Sequence, residues 1–260
     1  MRTLPLAHLF LEDLSVERVH ATSFTLSQAS RDLDPVDSYT LVFSSCGALT
    51  VETDRDTFAL TGDALLLLLP KTPVHIHADA AARLFLLRLS LSDADGEPLV
   101  LSDACPSAFV HVDLALPIEE LCIRYQQGSM QSDIENAARA MLLRLSRERA
   151  EREFSAILPA IDYIRAHLCE DVRVDTVAAL CDMCESSLRR EFSRAIGMSP
   201  KAYILRQKLK MAARMLHSGL YSIKEICEHL GFYDDAYFSK LFKRHTGMTP
   251  MQYARGSVTV

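Results

Sequence analysis

Between residues 174 and 253 the chain runs through one pattern twice, and this internal repeat restricts its fold more than any other feature. A shift of 50 residues pairs Leu188 with Phe238, Phe192 with Phe242, Arg194 with Arg244 and Gly197 with Gly247. It also pairs Met198 with Met248, Pro200 with Pro250 and Tyr203 with Tyr253. Upstream the match continues at a shift of 49, pairing Val174 with Ile223, Val177 with Ile226 and Met183 with Phe232. One residue is therefore inserted just before the second helix of the later copy. Self-similarity at a fixed period marks one supersecondary unit used twice.

Each copy has the layout of a helix-turn-helix. In the later copy Ile223, Ile226 and Leu230 give the first helix a buried face, and Gly231 ends it, because glycine takes the left-handed conformation without a Cβ penalty. Phe232 plugs the corner and Asp234 or Asp235 can cap the next helix. That helix buries Phe238 and Phe242, four apart, and turns Ser239, Lys240, Lys243 and Arg244 outward. In the earlier copy Val177, Ala178 and Cys181 face inward and Leu188 and Phe192 anchor the second helix. Ser186, Arg189, Arg190, Ser193 and Arg194 stay on the open side.

This chemistry suits double-stranded DNA. Arginine meets guanine O6 and N7 bidentately in the major groove, and serine or lysine serves bases or phosphates. Between the copies, Pro200 to about Leu216 reads as one continuous helix carrying Lys201, Arg206, Lys208, Lys210 and Arg214. At 1.5 Å per residue it is about 26 Å long. Such a rod can hold two recognition helices about 34 Å apart, one turn of B-DNA, so that one polypeptide reaches two adjacent major-groove segments. The competing reading is an ordinary helical bundle with solvated Lys and Arg; duplication plus a stiff spacer favours DNA.

Composition agrees. The chain has 260 residues, of which 49% are hydrophobic and 24% charged, enough to bury a core and to exclude a disordered or collagen-like chain. Its longest apolar run, Ala64 to Leu69, is far short of a membrane helix, which needs roughly 20 residues. Glu12 and Asp13 interrupt the short apolar stretch after Arg2, so no secretory signal is evident. Seven scattered cysteines fit reduced thiols better than a bridge framework. A cytoplasmic protein associated with the nucleoid is expected. The net charge of −6 conceals an asymmetry: 7 Lys/Arg against 16 Asp/Glu up to Asp113, but 15 against 11 from Ser155 onward. The second part is the one suited to a polyanion.

The expected domains are 1–113, 114–154 and 155–260. Up to Asp113 the chain reads as short strands: Tyr39–Phe43, Leu49–Thr53, Phe58–Leu60, a turn at Thr61-Gly62-Asp63, then Ala64–Pro70, Val74–His77 and Leu84–Leu89. Turn signals every 8–12 residues argue an antiparallel sandwich or small barrel. In the middle stretch Pro117 opens a helix with Ile118, Leu121 and Tyr125 on one side. Ser132-Asp-Ile-Glu135 reads as a capping box, and the helix it starts carries Ile134, Ala138, Met141 and Leu145 as a stripe. That stripe suits either packing on its own domain or a homodimer contact. Further on, Pro159 opens a helix with Ile161, Ile164 and Leu168 on one face.

Residues 157–254 resemble the DNA-binding domain of AraC/XylS-type transcription regulators, most clearly in the stretch from Ile226 through Gly231-Phe232 and Phe238-Ser239-Lys240-Leu241-Phe242 to Gly247-Met-Thr-Pro250 and Tyr253. The resemblance implies that Ser186, Arg189 and Arg190 read bases from the first unit, with Ala236, Ser239 and Lys240 in the corresponding places of the second. Three positions depart from the family pattern: Asp182 stands where glycine is usual, Cys184 replaces a capping serine, and Ala254 separates Tyr253 from Arg255. The first part resembles the cupin-like sensor domains of many members, through Tyr39 to Phe43, Gly47, and Thr61-Gly-Asp63 through Pro70 to His75. That likeness implies a β-barrel holding a small effector, followed by helices that often dimerise. The fold class expected is thus α+β and multidomain: a cupin-like antiparallel barrel, a helical linker and an all-α domain with two helix-turn-helix units. An activator of this kind would also meet RNA polymerase.

His75 and His77 lie two apart on a strand, facing one side, and are candidates for an effector pocket. A cupin metal would require further ligands, commonly a nearby Glu. Ala80-Ala-Ala82 follows instead, although His111 exists, so no metal or other cofactor is expected. Cys181-Asp-Met-Cys184 has C-x-x-C spacing, but it straddles the helix-turn-helix corner, where core filling competes with a thiol switch. No nucleophile elbow, phosphate loop or paired-carboxylate motif is present, and no enzyme is expected. The alternative is a cupin-type metal-binding protein or enzyme with an appended DNA-docking module.

Overall fold

The structure is a computed structural model and describes residues 2–62, 64–93, 96–102, 109–110 and 115–256. Asp63, His111 and the 113/114 boundary of the sequence reading lie outside them. The chain divides into two compact units, Met1–Ala150 and Glu151–Val260.

The first unit holds strands β1 (Arg2–Leu4), β2 (Leu14–Leu26), β3 (Ala29–Leu33), β4 (Tyr39–Cys46), β5 (Ala48–Thr53), β6 (Thr57–Thr61), β7 (Ala64–Leu68), β8 (Val74–Ala78), β9 (Ala82–Asp93), β10 (Leu99–Leu101) and β11 (Phe109–Val110). A five-stranded sheet runs β11-β7-β4-β9-β2 and a four-stranded sheet β3-β8-β5-β6, every pair in both being antiparallel. Val42, Leu66, Leu84 and Leu86 from one sheet meet Leu49, Val51, Leu60, Val74 and Ile76 from the other in an aliphatic interior. On the opposite face of the larger sheet, Leu41, Phe43, Leu65, Leu67, Phe85 and Leu87 pack against helices α1 (Ala115–Gln126) and α2 (Gln131–Glu153). Strand β7 is thus covered on both faces, which is why its sequence is unbroken Ala-Leu-Leu-Leu-Leu rather than alternating.

The middle stretch decides one open alternative and corrects one expectation. Ile134, Ala138, Met141 and Leu145 lie inside the core of this unit, so the stripe packs on its own domain and is not a dimer seam. The capping box at Ser132 does not form, because α2 begins at Gln131. The Glu135 carboxylate instead accepts from the Arg18 backbone N–H (3.2 Å) and Gln131 Nε2 (3.0 Å). Arg18 sits in a β-bulge of β2 with φ 53°, where the register against β9 slips between Glu17 and His20. Its bulged N–H has lost its ladder partner, and the α2 carboxylate supplies one.

The second unit is helical: α3 (Leu158–Ala166), α4 (Val174–Ala179), α5 (Glu185–Ile196), α6 (Pro200–Ser218), α7 (Ile223–Leu230), α8 (Asp235–Thr246) and α9 (Pro250–Gly256). The repeat recurs in its packing. Phe192 meets Tyr203 edge-on with ring centroids 5.4 Å apart, and Phe242 meets Tyr253 edge-on at the same 5.4 Å. Gly197 (φ 77°) and Gly247 (φ 81°) end α5 and α8 in the left-handed conformation. Pro200 and Pro250 then open α6 and α9, capped by Ser199 and Thr249 through bonds from Ala202 N–H (3.3 Å) and Gln252 N–H (3.2 Å). Among the described residues no helix is long and apolar enough to cross a membrane.

Candidate nucleic-acid interface

Helices α5 and α8 each bury two residues four apart, Leu188 and Phe192 in one, Phe238 and Phe242 in the other, all fully enclosed. The positions opposite these anchors necessarily face outward. In α5 they are Ser186, Arg189, Arg190, Ser193 and Arg194, all exposed. In α8 they are Ala236, Lys240, Lys243 and Arg244, exposed, with Ser239 half-buried on the flank. The structure therefore brings all ten of these residues onto two corresponding helix surfaces, Ser239 at the edge of the second.

The corners that set these helices are built alike. In the first, Met183 N–H donates to the Ala178 carbonyl (3.0 Å) and Asp182 takes φ 52°. In the second, Phe232 N–H donates to the Cys227 carbonyl (2.9 Å) and Gly231 takes φ 65°. Aspartate thus fills a left-handed position that glycine fills in its sister unit, at a modest cost because its short side chain tolerates this region. The second unit also has the firmer caps. Ser222 and Glu225 form a complete capping box on α7, and Asp234 Oδ1 accepts from the Tyr237 N–H at 2.6 Å. On α4 an Arg173–Asp175 fork stands in the same place, holding the Asp175 carboxyl down to about 2.

Charge is handled differently. Arg189 pairs with Glu185 (2.8 Å), Arg194 with Glu191 (2.8 Å), and Arg190 lies 3.7 Å from Glu191. The bond from Arg194 holds the Glu191 carboxyl below its ordinary value. Among the described residues Lys240, Lys243 and Arg244 make no ion pair.

Cys184 occupies the N-cap position of α5 and is exposed, with Sγ 3.2 Å from Ser186 Oγ and 3.3 Å from Ser187 Oγ. Those hydroxyls, aided by nearby backbone N–H groups, lower its thiol to about 6. Core filling is therefore corrected for Cys184; only Cys181 is partly buried, and burial raises its thiol.

The sequence places Lys208 among the basic residues of the long helix, and the structure removes it from that group. Its Nζ donates to the carbonyls of Leu230 (2.7 Å), at the end of α7, and Glu170 (3.2 Å), beyond α3. Burial lowers its ammonium. It ties α6 to the ends of two other helices. Only its i, i+4 spacing from Ala212, on the buried side of α6, hinted at this in the sequence.

His75 and His77 do share one face of β8, but it is the face opposite Val74, Ile76 and Ala78, which fill the interior. His75 Nδ1 lies 2.6 Å from Asp32 Oδ1 and His77 Nε2 2.8 Å from Asp79 Oδ1. Strand alternation thus puts both outside the barrel, and the effector-pocket reading of the two is corrected. Among the described residues no three His, Cys, Asp or Glu side chains gather as metal ligands would.

A duplicated helix-turn-helix unit on a common central helix, in one chain with an antiparallel β-sheet domain, defines a two-headed class of helix-turn-helix protein. Residues 21–158 match the AraC-like ligand binding domain family and residues 177–256 a helix-turn-helix domain family, and the chain belongs to the AraC family. It is 34% identical over 98 residues to the xylose operon regulatory protein of Escherichia coli K12, covering 38% of this chain and 25% of that protein. It is 26% identical over 137 residues to the transcriptional activator RhaS of Escherichia coli O157:H7, covering 53% and 44%. The matches thus span less than half of either relative. An AraC-type regulator structure from Chromobacterium violaceum aligns with 40% of this chain and 94% of its own, at 24% identity and a TM-score of 0.39.

Proposed function

We propose that this protein is a sequence-specific DNA-binding transcription regulator whose two recognition helices, α5 and α8, enter successive major-groove segments. The observation that carries this reading is the matched pair of outward faces, Ser186/Arg190/Ser193 against Ala236/Lys240/Lys243, presented by anchors at identical spacing. Arg189 and Arg190 suit guanine edges, while Lys240, Lys243, Arg194 and Arg244 suit bases or phosphates. Helix α6, 19 residues and so about 28 Å long, is the spacer. The protein acts by binding in the cytoplasm, not by catalysing a reaction.

The first unit is the sensor in this reading. Its interior between the sheets is mostly apolar, with two buried hydroxyl residues of β4, Thr40 and Ser44, on the same face as Val42. Ser44, paired with Ala64 and Leu84, is fully buried, and among the described residues its Oγ has no hydrogen-bond partner. A buried hydroxyl without a partner is costly, and a small, largely apolar effector with one polar group would satisfy it. Effector binding then biases homodimer geometry, DNA affinity or, for an activator, contact with RNA polymerase.

The test is selection from a random duplex library followed by affinity measurement against salt. A selected site bound far more tightly than unrelated DNA, with log K falling by about 0.9 per phosphate neutralised for each tenfold rise in salt, is expected. Equal affinity for all sequences overturns the reading.

A further inference from the structure

The two recognition helices differ most where the repeat loses register. The earlier copy passes from Met183 directly to its N-cap, Cys184; the later passes from Phe232 through one extra residue, Tyr233, to its N-cap, Asp234. The inserted tyrosine is 96% exposed, more than any other large apolar side chain described. Tyr237, one turn on, is 52% exposed where the first unit has the half-buried Ser187. Both flank Ala236, and Tyr237 and Ala236 lie three and four residues before Lys240, on the same face. The platform is firm, since the Tyr237 N–H is held by the Asp234 carboxylate at 2.6 Å.

Two exposed tyrosines four residues apart, each with an apolar ring and a polar tip, offer a surface for a partner. Lys240, Lys243 and Arg244 continue the same surface, uncompensated by any ion pair among the described residues, so the partner is a polyanion. In the major groove the one apolar group on a base edge is the C5-methyl of thymine. We infer that Tyr233 and Tyr237 make the second recognition helix a reader of thymine methyl groups, whereas the first, with arginines and serines, reads guanine. This rests on the regulator reading and adds a specificity to one of its two heads.

Replacing thymine by deoxyuridine removes that methyl and nothing else. On the selected duplex, single thymine-to-deoxyuridine changes beneath α8 are expected to weaken binding of the full chain about fourfold per methyl, as burial of one methyl-sized group implies. The same changes beneath α5 leave affinity unaltered. The double variant Tyr233→Ala/Tyr237→Ala binds the thymine and deoxyuridine duplexes equally, and Tyr237→Phe keeps the discrimination. Indifference of the wild-type protein to deoxyuridine overturns the inference, as does discrimination that survives in the double variant. If Tyr237→Phe binds both duplexes equally weakly, the tyrosine is a phosphate anchor and the inference falls for that residue. If no sequence is selected at all, the regulator reading fails first and takes this inference with it.

Discussion

In the first helix-turn-helix unit, Arg189, Arg190 and Arg194 lean on Glu185 and Glu191; in the second, Lys240, Lys243 and Arg244 make no ion pair among the described residues. The first turns its corner with Asp182 and caps its recognition helix with Cys184, where the second uses Gly231 and Asp234. Yet the aromatic anchors are superposable in kind and distance, Phe192 on Tyr203 and Phe242 on Tyr253. A duplicated unit has thus kept its interior and diverged on its surface. Packing tolerates little change, because a buried ring has many neighbours, whereas an outward residue answers only to what it binds. In the proposed function the paired arginines exchange one carboxylate for a base edge. Lys240 and Lys243, which make no ion pair among the described residues, need no such exchange, so in that reading the second head adds the stronger electrostatic attraction.

This contrast can be broken at three levels. If the interior is truly shared, Phe192→Ala and Phe242→Ala each cost about 3–5 kcal/mol, measured by denaturant unfolding. A difference of several kcal/mol between them would show that the two cores are not equivalent. At the corners, Gly231→Ala should cost about 1–2 kcal/mol because alanine resists positive φ, while Asp182→Gly should shift stability by under about 0.5 kcal/mol. A large gain from Asp182→Gly would mean that the first corner is strained. At the surface, Glu191→Gln frees Arg190 and Arg194 and should tighten DNA binding roughly twofold to fivefold, the range expected of an exposed ion pair. Weaker binding would mean that Glu191 positions the arginines rather than competing for them.

The sequence showed the second unit clearly because its anchors, caps and glycines recur at one spacing, and each has a local physical cause. It showed less of the first unit. Strands β4 to β9 were legible as apolar or alternating runs, but the 13-residue β2 was not: the bulge at Arg18 shifts its buried positions from Leu14 and Val16 to Val19 and Ala21, which breaks the period of two. The Ile134 stripe looked the same for a dimer seam as for a core, since periodicity says that a face is covered and not by what. His75 and His77 were correctly placed on one face, but alternation cannot tell which face is inside. Lys208 resembled its solvated neighbours because its partners are backbone carbonyls 22 and 38 residues away in sequence.

In the proposed function the two heads engage one duplex together. Guanine-N7 methylation interference combined with hydroxyl-radical footprinting on the selected site measures this directly. The expected pattern is two protected major-groove segments about ten base pairs apart, with Arg190→Ala erasing the guanine signal from one and Lys240→Ala weakening protection only in the other. A single protected segment, or loss of both when either residue is replaced, would contradict it.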